Sequence, residues 1–159
     1  MHPMFSSRYR MLAVCLALAT FVVGCTYATR ATLTQAQQQV IEDIVVAEEA
    51  GRLNDCRATQ VDLDREGPLE TVILFLVGSH GSQARALRWQ GASAVTLFED
   101  GSDTPGTAFC LAEGVPTFVL ERKGSKVPLA YQWNGKAFVQ AAGAGCAGRQ
   151  STVIWHSCN

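Results

Sequence analysis

The run Thr71-Val72-Ile73-Leu74-Phe75-Leu76-Val77 limits the fold of this chain more than any other stretch. Seven residues of high strand propensity with no charge among them predict a strand. A strand that is continuously apolar belongs at the centre of a sheet. Further short apolar runs surround it at 57–61, 84–90, 94–98, 108–112, 117–122, 127–133, 137–140 and 152–155, cut by glycine-containing turns. Connections this short predict antiparallel pairing, because a parallel crossover needs a dozen residues or more. Asn134-Gly135, between Tyr131-Gln132-Trp133 and Ala137-Phe138-Val139, is a hairpin signal, since both residues tolerate positive φ.

One helix precedes the strands. Thr34 with Gln37 three residues on predicts a capping box, and Ala36, Val40, Ile41, Ile44, Val45 and Ala47 recur near the helical period. Glu48, Glu49 and Arg52 fall on the outer face and Gly51 supplies a stop, giving about five turns at 3.6 residues per turn. The prediction is an α+β fold, with this N-terminal amphipathic helix packed on an antiparallel β-meander sheet. Residues 34–159 form the single domain.

Two stretches of the strand region read alike. Thr71-Val72-Ile73-Leu74 leads to Gly78-Ser79, then Trp89-Gln90-Gly91 and Val95; Thr117-Phe118-Val119-Leu120 leads to Gly124-Ser125, then Trp133-Asn134-Gly135 and Val139. Each copy has a cysteine upstream, Cys56 and Cys110. The expectation is two related hairpin units, each a meander that cannot bury its apolar face alone. Trp89 and Trp133 are then equivalent core positions.

The start of the chain reads differently. Arg8 and Arg10 precede an apolar stretch from Met11 to Val23, which ends on Val22-Val23-Gly24-Cys25. Thirteen residues are too few for a membrane span, which needs about 20. A cationic start, an apolar stretch and a small residue before cysteine form an export pattern. The tetrad resembles the lipobox of bacterial lipoproteins. The resemblance implies that residues 1–24 are a signal peptide cut before Cys25, whose thiol carries a diacylglycerol and whose new amine is acylated. Residues 25–33 are then a lipidated tether. Thr26, where an Asp would favour inner-membrane retention, implies the outer membrane facing the periplasm. An ordinary cleaved signal peptide is the alternative.

Cleavage there removes two basic and no acidic residues, so the net charge moves from −1 to about −3. A chain so weakly and evenly charged lacks the basic surface that nucleic acid requires. It also lacks the basic amphipathic helix that would hold it at a membrane surface, which leaves the acyl chains of Cys25 as the attachment. Four further cysteines remain, Cys56, Cys110, Cys146 and Cys158. None forms a Cys-x-x-Cys pair, and an exported compartment favours disulfides over zinc. Of the three possible connectivities, the preferred one is Cys56–Cys110 with Cys146–Cys158: the first joins equivalent points of the repeat, and the second closes a short C-terminal loop.

Chemistry concentrates in Asp62-Leu63-Asp64-Arg65-Glu66-Gly67-Pro68-Leu69-Glu70. Alternating carboxylates, a glycine for the sharp turn and a further carboxylate are what a calcium loop needs. The spacing resembles the Asp-x-Asp-x-Asp-Gly-x-x-Asp loops of integrin-type propeller repeats. That resemblance implies Asp62, Asp64, Glu66 and Glu70 as ligands, with glutamate in place of aspartate at the fifth and ninth positions. A solvated turn fixed by Pro68 is the competing reading. Elsewhere Ser79-His80 places a hydroxyl beside a base, although neighbours in a turn rarely aim at each other and no orienting acid is evident. The stretch 100–106 reads as a mobile polar loop and possible partner contact, and 141–145 as a flexible link. The chain contains no Gly-x-Ser-x-Gly, Walker, His-Glu-x-x-His or dinucleotide motif. The expected function is therefore a non-enzymatic, lipid-anchored envelope module that binds a protein partner or supports a structure. An inhibitor of an exogenous hydrolase such as lysozyme, a calcium-stabilised β module and a hydrolase with an unusual site stand as alternatives.

Overall fold

A computed structural model describes residues 33–48, 55–146 and 153–158. The expected signal peptide of residues 1–24, Cys25 and the tether up to residue 32 lie outside the described residues. So does the predicted helix stop at Gly51. The described chain is mostly antiparallel β-sheet, with one helix.

The helix, α1 (Gln35–Ala47), begins as its sequence predicts. The Thr34 hydroxyl accepts the Gln37 N–H at 3.2 Å, and the Gln37 side-chain oxygen accepts the Thr34 N–H at 2.9 Å. Two of the orphan donors of the first turn are thereby satisfied reciprocally. The helix is shorter than the five turns expected. Glu48 leaves helical geometry at φ −79°, ψ 85°, and its carboxylate pairs with Arg85 of the sheet, so the chain turns there.

Among the described residues nine strands follow: β1 (Arg57–Val61), β2 (Glu70–Val77), β3 (Gly81–Gln90), β4 (Ser93–Ser102), β5 (Thr107–Ala112), β6 (Val115–Leu120), β7 (Leu129–Trp133), β8 (Phe138–Gln140) and β9 (His156–Ser157). They form a five-stranded sheet in the order β4-β3-β2-β1-β9 and a four-stranded sheet in the order β5-β6-β7-β8. All pairings are antiparallel. Apart from β9, each sheet is therefore an up-and-down meander of four consecutive strands.

The unbroken apolar character of β2 follows from this layering. Side chains alternate across a strand. Val72 and Leu74 enter a core shared with the second sheet, where Phe109, Phe118, Leu120 and Trp133 meet them. Ile73 and Phe75 point the other way, to Ile41 and Val45 of α1. The five-stranded sheet is thus covered on both faces. At the middle of the inter-sheet core, Phe98 stacks on Phe118 with centroids 4.3 Å apart and planes 12° apart; Phe138 and Tyr131 tilt against Phe98. β4 forms one edge of this sheet, and its register slips opposite Ala86 and Leu87. A bulge of this kind, with charged Glu99 and Asp100 after it, blunts an exposed edge against pairing with other chains.

The two meanders share their strand order but not the placement of their tryptophans. Thr71 pairs with Leu87, so Trp89 lies two residues beyond; Thr117 pairs with Gln132, so Trp133 lies one beyond. An offset of one residue moves a side chain to the opposite face. Trp89 accordingly packs on the helix side and donates its Nε1–H to Thr71 Oγ1 at 2.8 Å. Trp133 packs between the sheets, where its buried Nε1 has no hydrogen-bond partner among the described residues. Both are core residues, as expected. The Asn134-Gly135 hairpin is also present. It spans four residues, with Gly135 at φ +94° and the Asn134 carboxamide oxygen accepting the N–H groups of Lys136 and Ala137.

The cysteines correct the preferred connectivity. Cys56 bonds Cys158 and Cys110 bonds Cys146. The reason lies in the C-terminal strand, which is His156–Ser157 and not the 152–155 run expected. β9 pairs with Arg57 and Ala58, and the Cys158 N–H donates to the Cys56 carbonyl at 3.2 Å. This places the two Cα atoms 5.4 Å apart, within disulfide reach. Cys56 belongs to the core beside α1, whereas Cys110 lies in β5 of the other sheet, where Cys146 reaches it.

Candidate functional site

Asp62, Asp64, Glu66 and Glu70 lie on the link from β1 to β2, with Glu70 opening the central strand. Pairing with Val61 of β1 makes Glu70 the first residue of β2, where it is 1% exposed, while Asp62 and Glu66 face solvent. Three of the four predicted residues come together. Carboxylate oxygens of Asp62, Asp64 and Glu70 lie within 4.8 Å of one another, and Glu66 is not part of the group.

A protein cation sits among them. Arg88 of β3 donates through Nε to Glu70 Oε1 at 2.8 Å and through Nη2 to Asp64 Oδ2 at 2.6 Å. The second oxygen of Glu70 accepts the Leu63 N–H at 3.0 Å. Asp62 Oδ1 and Asp64 Oδ1 accept the N–H groups of Arg65 and Glu66, at 2.6 and 2.9 Å, closing the turn on itself. Arg65 at φ 62° and Gly67 at φ 101° supply the left-handed turns; glycine adopts that conformation at least cost. A buried carboxylate is tolerable only when paired and hydrogen-bonded, and Glu70 has both kinds of partner. The sequence does not single out Arg88, because its role depends on strand register. Its position in an apolar alternating run was the available signal.

Two more arginines act in the same way. Arg85 of β3 binds Glu48 at the end of α1 and, at 2.9 Å, Glu99 of β4. Arg122, just past β6, binds both oxygens of Asp100 at 3.1 and 3.3 Å. Asp100 also accepts the Tyr131 hydroxyl at 2.9 Å and the Gly101 N–H at 2.7 Å. Thus one carboxylate of the first sheet holds two residues from the second sheet's side.

The 100–106 stretch expected as a mobile loop is largely built into the fold. Residues 100–102 belong to β4, and Ser102 donates to the Glu121 carbonyl. Buried Ser82 and Thr107 share a 2.6 Å hydroxyl bond, and Ser82 also donates to the Thr104 carbonyl at 2.7 Å. These hydroxyls border a small open cleft of about 180 Å³, also lined by Asp55, Arg57, Leu74 and Pro105.

Burial pushes the Tyr131 phenol above its usual pKa of 10.0, and the hydrogen bond to Asp100 and the charge of that carboxylate raise it further, against the opposing effect of Arg122. The phenol is then protonated in the fold, and its stabilising contribution is complete below about pH 10 and lost as pH rises through the folded value. Tyr131→Phe should cost about 1–2 kcal/mol at neutral pH through the lost bond. In denaturant melts, the gap between wild type and variant should shrink above pH 10. A gap that stays constant to pH 11 would remove Tyr131 as the titrating group.

Ser79 and His80 do meet, contrary to expectation: the hydroxyl lies 2.6 Å from Nδ1, with both residues exposed in the β2–β3 turn. No salt bridge joins His80 to a carboxylate among the described residues. The pair therefore lacks the orienting acid of a nucleophile–base–acid set.

No protein-family model matches the chain, and no curated protein or solved structure matches it either.

Proposed function

We propose that the chain is an exported lipoprotein, anchored through acyl chains on Cys25, whose domain serves the cell envelope as a non-enzymatic binding or structural module. The observation that carries this reading is the tetrad Val22-Val23-Gly24-Cys25, which resembles a lipobox, ahead of a disulfide-bonded domain. Disulfides persist in oxidising compartments such as the periplasm, so the two bridges support export. The ion pairs around Arg85, Arg88 and Arg122 each join separate elements, which suits a rigid module. The outer membrane, facing the periplasm, is the proposed address, and a protein of the envelope the proposed partner.

For residues 62–70, Arg88 favours a guanidinium over calcium as the resident cation, since it already spans Asp64 and Glu70. The two meanders are proposed to descend from one unit, with their common strand order in favour and the opposed tryptophans marking divergence.

Cys25→Ser should move the protein from the membrane to the soluble fraction of expressing cells while leaving the domain folded. Cross-linking in intact cells should capture an envelope protein on the wild type. A Cys25→Ser protein still sedimenting with membranes would defeat the anchor, and a wild type that captures no partner would defeat the binding role.

A further inference from the structure

The two disulfides differ in what surrounds them. Cys56 and Cys158 are 3% and 5% exposed and belong to the core that includes Ile41, Val45 and Phe75. Noncovalent contacts join the two segments beside the S–S bond. β9 pairs with β1, and Cys158 donates to the Cys56 carbonyl. Trp155 packs edge-on against Phe109, with the Arg57 guanidinium 5.3 Å from its ring centre.

Cys110 is also buried, at 3% exposure, but its partner is not. Cys146 is half-buried at the end of Ala141-Ala142-Gly143-Ala144-Gly145, in which residues 142, 143 and 145 are exposed. Ala141, at the head of this stretch, donates its N–H to the Ala130 carbonyl at 2.9 Å. Small side chains without apolar bulk add little packing of their own, and among the described residues the bridge is the covalent tie between residues 142–146 and β5.

We infer that Cys110–Cys146 is a thiol–disulfide exchange site for an external dithiol, and that Cys56–Cys158 is a permanent structural bridge. A thiolate attacks the Sγ of half-buried Cys146, forming a mixed disulfide and releasing Cys110 as thiolate. The second thiol of the reductant then attacks its own sulfur in the mixed disulfide and frees Cys146. Two electrons and two protons pass from the dithiol to the cysteine pair, and the reductant leaves as a disulfide. Access decides the order, because exchange needs the attacking thiolate to reach a sulfur. The partner chemistry is that of a dithiol oxidoreductase, exported if the chain itself is exported, which rests on the function proposed above; dithiothreitol is the probe. Reduction frees residues 142–146 and leaves both sheets in place.

The test is graded reduction of the full-length, detergent-solubilised protein with dithiothreitol, quenched by alkylation and read cysteine by cysteine by peptide mass spectrometry. Cys110 and Cys146 should be modified at least about tenfold faster than Cys56 and Cys158, and the selectively reduced protein should retain a cooperative melting transition. A Cys110→Ser/Cys146→Ser variant should fold with Cys56–Cys158 intact. Equal rates, earlier opening of Cys56–Cys158, or loss of the cooperative transition on opening Cys110–Cys146 would each overturn the assignment. So would a double variant unable to form Cys56–Cys158.

Discussion

Replacing Cys56 and Cys158 together with alanine should lower the unfolding free energy by about 4–5 kcal/mol and the melting temperature by on the order of 15 °C. The bridge spans 102 residues of sequence, and in the chain-entropy argument a loop of about a hundred residues removes roughly 4.7 kcal/mol of denatured-state freedom. The loss should be larger than for Cys110→Ala/Cys146→Ala, whose bridge spans 36 residues and is expected to contribute about 4 kcal/mol at most. Losses in the opposite order would mean that strain or residual structure, rather than loop length, sets their contributions. Urea melts of the two double variants against wild type decide this.

Arg88→Met should cost about 3 kcal/mol. The cost comes less from the lost attraction than from stranding Glu70, which is 1% exposed and would keep, among the described residues, only the Leu63 N–H as partner. The figure sits at the low end for a broken buried pair because the Arg88 side chain is itself 36% exposed. Glu70→Leu/Arg88→Met removes the stranded charge and should recover most of the stability, since a buried pair is often replaceable by apolar side chains. Millimolar calcium should raise the melting temperature of the wild type no more than magnesium at equal ionic strength. A calcium-specific rise, abolished in Asp62→Ala/Asp64→Ala, would restore calcium as the occupant of the 62–70 loop. In that event Arg88 would be displaced when the ion binds.

These two expectations rest on features of different legibility. The helix start could be read from Thr34 and Gln37, because a capping box is local chemistry. β1 could be read over residues 57–61, and the uninterrupted apolar run of β2 correctly placed it inside a sheet; its two covering layers follow from the same pattern. Cysteine pairing could not be read. It depends on β9 docking beside β1, a two-residue pairing with no periodic signal in the sequence. The ion pairs were equally hidden. Arg88 meets Glu70, and Tyr131 meets Asp100, only once strand registers bring residues 18 and 31 positions apart together. The tryptophans show how narrow the margin is. Trp89 and Trp133 look equivalent in sequence, yet a one-residue difference in register sets them on opposite sides of their sheets. Of the predicted calcium ligands, Asp62, Asp64 and Glu70 lie together and Glu66 lies apart, and their spacing carries no sign of the arginine arriving from another strand.

The proposal that this is a lipid-anchored module stands on Cys25, and the mature N-terminus tests it most directly. Mass spectrometry of the protein extracted from membranes of a lipoprotein-processing host should find residues 1–24 removed. Cys25 should be the first residue, carrying a thioether-linked diacylglycerol and an acyl group on its amine. A chain that begins elsewhere, or a Cys25 with an unmodified thiol, would contradict it.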